Sequence, residues 1–262
     1  MGIPLAAVLE GQHCALFASD MHLGDHEPRL ATRFLKALDQ ALSPAGGQAA
    51  PSHLFLLGDV FEAWVGDDQP DQSARLLSAR LRSLSERGIG VFLMRGNRDF
   101  LMGSRSPGWP QLCGAQLLED AVCVSLFGSP VLIVHGDSLC TDDVGYQQFR
   151  AQVRSPQWQA EFLSRPLAER LHLARHMREQ SEINKAARAQ ASLPMDVNPA
   201  TVRSLAREAG VRHLIHGHTH RPAHHEVEGL SRWVLPDWHA HEGRGGFLRI
   251  DTHGWQMIGH WH

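Results

Sequence analysis

The chain has 262 residues, 43% of them apolar and 20% charged, with a formal net charge of −3. That size and apolar share supply a packed core for one large domain, and the near-neutral charge excludes a globally basic nucleic-acid binder or a charge-driven disordered chain. No stretch approaches the ~18 consecutive apolar residues of a spanning helix, and Cys14, Cys113, Cys123 and Cys140 contain no C-x-x-C pair, which argues against a zinc ribbon and fits a reducing cytosol.

In chain order, the apolar stretch 3–9 lacks a cationic region before it and a small-residue cleavage site, so no signal peptide is expected. Five short apolar runs then stop abruptly at Gly-containing polar clusters. They are residues 14–18, 54–57, 91–94, 131–134 and 211–215, and each reads as a buried strand. Helical spacing links Leu30, Phe34, Leu35 and Leu38, and again Leu76, Leu77, Leu81 and Leu84, with Gly88 as a C-terminal stop. Strands alternating with helices predict an α/β architecture. From about 146 to 192 the strand signal disappears. Phe149, Val153, Phe162, Leu163, Leu167 and Leu171 suggest helices broken near Pro156 and Pro166, and the arginines between 165 and 188 make the segment locally basic. This reads as a helical insertion within a single domain spanning 1–262. Asn198 and Pro199 start a further helix that Gly210 ends. The tail from Trp233 reads as short strands.

Each predicted strand delivers a polar motif. Asp20-Met21-His22 can place a carboxylate and an imidazole on one side of an extended chain. Gly58-Asp59 offers a sharp turn and a carboxylate able to bridge two cations. Gly96-Asn97-Arg98-Asp99 adds a neutral carbonyl ligand and a planar guanidinium suited to phosphate. His135-Gly136-Asp137 and Gly217-His218-Thr219-His220 add three imidazoles, in a chain with 18 histidines. The histidines from His224 onward read as surface residues. Singly, the first three motifs are better read as ordinary turn residues, and the fourth has a capped loop as its alternative. Jointly they pool three oxygen donors (Asp20, Asp59, Asn97) and four imidazoles (His22, His135, His218, His220). That mixture suits two borderline divalent cations such as Mn²⁺, Fe²⁺ or Zn²⁺, and neither Ca²⁺ nor a thiolate-bound metal.

The order D-x-H, G-D, G-N-x-D, H-G-D, G-H-T-H, from Asp20 to Pro222, resembles the calcineurin-like metallophosphoesterase superfamily. The resemblance implies an α/β (α+β) sandwich of two sheets with helices outside and the insertion 146–192 as a lid. It implies one metal on Asp20, His22, Asp59 and His220, and another on Asp59, Asn97, His135 and His218, with Asp59 bridging. Most of that superfamily has His after the Asn; Arg98 stands there instead, which removes the usual proton donor. The longer strings at 19–23, 58–64, 96–100, 135–143, 195–198 and 216–222 are similar to a branch that cleaves a UDP-linked diacylated glucosamine lipid in lipid A synthesis. Membership in that branch implies Mn²⁺ as the ion and hydroxide attack on the α-phosphorus, with Asp59, Asn97, Arg98 and His218 as catalytic residues. Asp143, Ser181, Lys185 and Arg188, with Asn97, Arg98 and His218, would contact the substrate. It further implies a monomer resting peripherally on the cytoplasmic side of the inner membrane, with no nucleic-acid partner. A nucleotide pyrophosphatase, phosphodiesterase or protein phosphatase on the same scaffold, or a non-catalytic interaction module, are the alternatives; intact ligands argue against the last.

Overall fold

The computed structural model describes residues 3–9, 14–43, 49–69, 71–191 and 196–260. The predicted end of the insertion at 192, the first residue of the 195–198 string, His262 and the side chain of Lys185 lie outside the described residues.

The chain begins with β1 (Leu5–Leu9), β2 (Ala15–Ala18), α1 (Pro28–Leu42), β3 (His53–Leu57), α2 (Gln72–Glu86) and β4 (Gly90–Met94). Next come α3 (Trp109–Leu112), β5 (Gln116–Leu117), β6 (Ala121–Leu126) and β7 (Ser129–Val134). Three consecutive helices follow, α4 (Val144–Val153), α5 (Pro156–Ser164) and α6 (Leu167–Gln190), then α7 (Pro199–Ala209) and β8 (His213–His216). The chain closes with β9 (Ala223–Val227), β10 (Leu230–Val234), β11 (Gly245–Asp251) and β12 (Gly254–His260).

Among the described residues two six-stranded sheets result, ordered β1-β6-β7-β8-β10-β9 and β12-β11-β2-β3-β4-β5. Alternation along the strands builds three cores from them. Leu16, Leu54, Leu56 and Leu93 face α1 and α2. Phe17, Phe55 and Phe92 face the other sheet, where Val124, Ile133 and Ile215 receive them. Leu132, Val134 and Leu214 turn outward onto Val202 and Ala206 of α7. The layering is helix, sheet, sheet, helix, as the resemblance implied. In-register pairing of β2, β3 and β4 stacks Phe17 on Phe55 and Phe55 on Phe92, with ring centroids 4.6 Å apart in each pair.

The helix boundaries follow local chemistry. Asp71 caps α2 by accepting from Ala74 N at 2.7 Å, and Gly88 beyond its end has φ +84°. Asn198 accepts from Ala200 N and Thr201 N at the start of α7, and Gly210 ends that helix in the left-handed region. The helical run is broken near Pro156 and Pro166 as expected: α4 ends at Val153 and α5 at Ser164, and Pro156 stands in the first turn of α5, where proline's fixed φ is tolerated. Leu76, expected on the buried stripe of α2, is exposed; Ala74, Leu77, Leu81 and Leu84 form that stripe. Strands β1, β5, β6 and β9 add to the predicted set, while β11 and β12 fall in the tail from Trp233 that was read as short strands and β10 runs into it.

Candidate metal centre

Strands β2, β3 and β4 run parallel, as do β7, β8 and β10, so their carboxyl ends present loops at common edges. The loops bond to one another: Asp20 N donates to Gly58 O (3.1 Å), His22 N to Asp59 O (2.9 Å) and Gly217 N to His135 O (2.8 Å). Among the described residues seven non-glycine residues have positive φ, and five of them are Asp20, His22, Asp59, His218 and His220, at 49° to 66°. Such backbone is sparsely populated and persists only where surrounding bonds over-determine it. Gly217 is required by close approach, since a Cβ there would overlap Ser19 Oγ and Asp20 Oδ2.

All seven predicted ligands converge. The Nε2 atoms of His22 and His220 lie 3.4 Å apart, and His220 Nε2 is 3.5 Å from Asp20 Oδ1. Asn97 Oδ1 lies 3.0 Å from His135 Nε2 and 2.8 Å from His218 Nδ1. Asp59 turns one oxygen to each group: Oδ2 is 3.9 Å from His22 Nε2, and Oδ1 is 3.6 Å from His135 Nε2. Single ligand atoms of Asp20, His22 and His220, and of Asp20, Asp59 and His135, fall within 4.8 Å of one another. Asp20 is fully buried, and its Oδ1 has no hydrogen-bond partner among the described residues. An unpaired buried carboxylate oxygen beside facing imidazole nitrogens is costly unless a cation completes it. The donor set therefore fits divalent metal ions.

The electrostatics agree. Burial and the neighbouring His135 push the His218 pKa down to about 4, so its ring is neutral with a lone pair to offer. Burial alone would also lower His220, but the carboxylates of Asp20 and Asp237 outweigh it and push it up to about 10. Burial opposes the charge on Asp20, yet His220, His135 and His22 hold its carboxyl far below the usual range. Asp99 is buried and its pKa is pushed up to about 6 by burial and by Asp59; it accepts from Gly96 N and Val60 N at 2.7 Å, pinning the two ligand loops together.

The expected substrate residues are placed unevenly. Arg98 donates its backbone N–H to Asp59 Oδ1 at 2.8 Å, and its guanidinium reaches Glu182 of α6 at 3.4 Å. Asp143 caps α4 and pairs with Arg188 at 3.1 Å. Ser181 is exposed on α6. Arg170, one of the arginines that make the segment locally basic, is buried and tied to Asp68 and to Val65 O, so its charge is consumed internally.

Several residues here were not singled out from the sequence. Asp137 is buried and accepts from Tyr146 Oη (2.8 Å) and Arg150 Nε (2.7 Å). Glu62 Oε2 lies 3.1 Å from His22 Nδ1, and Glu62 also pairs with Arg178 of α6. Asp237 Oδ2 lies 3.2 Å from His220 Nδ1, 2.9 Å from His239 Nε2 and 2.8 Å from Arg244 Nη2; His239, read as a plain surface residue, belongs to this cluster. The signal for Asp237 was present: Trp233-Val234-Leu235-Pro236 is another apolar run ended by an acid.

The family model for calcineurin-like phosphoesterases matches residues 15–222. The chain belongs to that family. Its relatives include proteins named UDP-2,3-diacylglucosamine hydrolase. That of Chromobacterium violaceum is 45% identical over 91% of this chain and 95% of the relative. That of Stenotrophomonas maltophilia is 43% identical over 92% and 96%, and that of Bordetella pertussis 46% identical over 92% and 93%.

Proposed function

We propose that the protein hydrolyses the pyrophosphate bond of UDP-2,3-diacylglucosamine, giving UMP and 2,3-diacylglucosamine 1-phosphate. The observation that carries this reading is the convergence of seven ligand side chains from five strand ends. The relatives named UDP-2,3-diacylglucosamine hydrolase supply the substrate. Asp20, His22, Asp59 and His220 would hold one ion and Asp59, Asn97, His135 and His218 the other, with Mn²⁺ as the ion. Bound there, two divalent cations supply an activated water and polarise a phosphoryl oxygen.

The chain's own groups do the rest. Neutral His218 and the Asn97 amide orient the phosphate beside Asp59. Arg98 exchanges Glu182 for a pyrophosphate oxygen, a charge-assisted contact that strengthens as charge develops. UMP departs readily, which is compatible with Arg98 where a proton-donating His is usual. Helices α4, α5 and α6, which cover most of the 146–192 insertion and begin two residues ahead of it, form a lid. Val144, Phe149 and Ile183 are large apolar side chains left exposed on them, which supports contact with acyl chains. The Arg188–Asp143 pair ties α6 to α4 beside them; Ser181 and Lys185 belong to α6, and in our reading that helix meets the glucosamine phosphate. No described helix is long and apolar enough to cross a membrane. We read the protein as a monomer held peripherally on the cytoplasmic side of the inner membrane by this lid.

The test is mass spectrometry of products from UDP-2,3-diacylglucosamine with Mn²⁺ added, beside a dinucleotide polyphosphate. UMP and diacylglucosamine 1-phosphate are expected. Turnover of the dinucleotide alone would make this a nucleotide pyrophosphatase.

A further inference from the structure

The two halves of the centre differ in what stands behind their imidazoles. In the first half, His22 and His220 both turn Nε2 inward. Behind each, Nδ1 faces a carboxylate at ion-pair distance, Glu62 Oε2 at 3.1 Å and Asp237 Oδ2 at 3.2 Å, the first of them off hydrogen-bond geometry. In the second half, His135 Nδ1 meets only the neutral carbonyl of Leu57, at 2.9 Å. The Asp20 carboxylate reaches His135 as well, but its Oδ1, unpartnered among the described residues, lies 3.5 Å from His220 Nε2 of the first half, whereas a donor particular to the second half is the neutral Asn97.

A carboxylate behind a ligating imidazole fixes the tautomer that frees Nε2, locks the ring and makes it a better donor. We propose that the Asp20–His22–His220 half is the high-affinity metal seat, that the Asn97–His135–His218 half exchanges its ion more readily, and that Glu62 and Asp237 are the positioning residues that set this ranking. Glu62 is paired with Arg178, and Asp237 with Arg244. What they hand to the imidazoles is therefore direction rather than net charge.

His220, Asp237 and His239 lie close enough to suggest an ion of their own. Arg244 Nη2, 2.8 Å from Asp237 Oδ2, already supplies a cation at that oxygen. Asp237 is thereby committed to orienting its neighbours. Its place is topological: β10 runs parallel to β8, so the residue just past β10 arrives behind the loop that carries His220.

The inference rests on the two-ion reading above, and Mn²⁺ titration of the metal-free full-length chain, followed by electron paramagnetic resonance of free Mn²⁺, separates the two. Two classes of site at least about tenfold apart are expected. Asp237→Asn and Glu62→Gln should each weaken the tighter class by about 10- to 100-fold and leave the looser class in place. Two ions of one affinity, weakening of the looser class instead, or no change in either variant overturns the ranking while leaving the two-ion centre standing. A stoichiometry other than two overturns both. Asp237 is fully buried, so circular dichroism of the metal-free variant accompanies its titration. Glu62→Gln, at a partly exposed position, gives the deciding result if Asp237→Asn does not fold.

Discussion

Arg98 divides its labour between backbone and side chain. Its N–H holds Asp59 Oδ1, while its guanidinium rests on an exposed glutamate of α6. Replacing it with alanine keeps the backbone bond and removes the phosphate contact. Turnover of Arg98→Ala should fall by roughly 10- to 100-fold, the worth of one charge-assisted hydrogen bond, with metal content unchanged. Steady-state kinetics and elemental analysis of the same sample measure both; metal lost in step with activity would mark Arg98 as part of the metal scaffold instead. The ligands were legible because each follows a buried apolar run, and a buried run that ends in Asp, Asn or His places that group at a sheet edge. The roles of Glu62 and Asp237 were not, even though an apolar run announces Asp237 itself, since a carboxylate behind an imidazole bears no fixed sequence spacing to it; only the folded loops bring Asp237 to His220.

At the scale of elements, α6 is anchored by charge as much as by apolar contact. Leu167, Leu171, Ala174 and Met177 pack on the core, and Arg170 beside them is buried against Asp68. The Arg170 guanidinium hydrogen-bonds the Asp68 carboxyl and holds it below the usual carboxylate range. A depressed folded-state pKa means the pair stabilises fully above the unfolded value of about 4 and is lost as pH falls through the folded value. Protection of residues 167–177 from amide exchange should therefore be flat from neutral pH down to about 5 and decline in more acidic buffer, once intrinsic exchange is allowed for. Asp68→Asn should remove that decline and cost about 1–2 kcal/mol, less than for a fully buried pair because Asp68 is a quarter exposed. Unchanged exchange in the variant would show that apolar contact alone holds the helix. The sequence hid this link, because an arginine among arginines reads as solvated. Strand β9 escaped for a related reason: Ala-His-His-Glu-Val at a sheet edge buries no face and shows no apolar period.

For the whole molecule, the two sheets must keep their spacing if loops from both are to meet. The Phe17–Phe55–Phe92 stack lies between them, with Phe55 fully buried at its centre. Phe55→Ala should cost about 3–5 kcal/mol of global stability, seen as a lower urea midpoint, and should lower metal affinity as well. Unchanged metal affinity at that loss would mean that the loops hold the centre without the sheets. The sandwich itself was readable because its central strands are uniformly apolar, whereas the pairing of β1 with β6 rests on long-range register that no local pattern announces.

Five ligand positions sit in left-handed backbone, and this limits any attempt to retune the ion. Asp, Asn, His and Gly tolerate that conformation, whereas β-branched and bulky residues resist it. A designer seeking a softer or harder centre thus chooses from a short alphabet at Asp20, His22, Asp59, His218 and His220, and has a free hand only at Asn97 and His135.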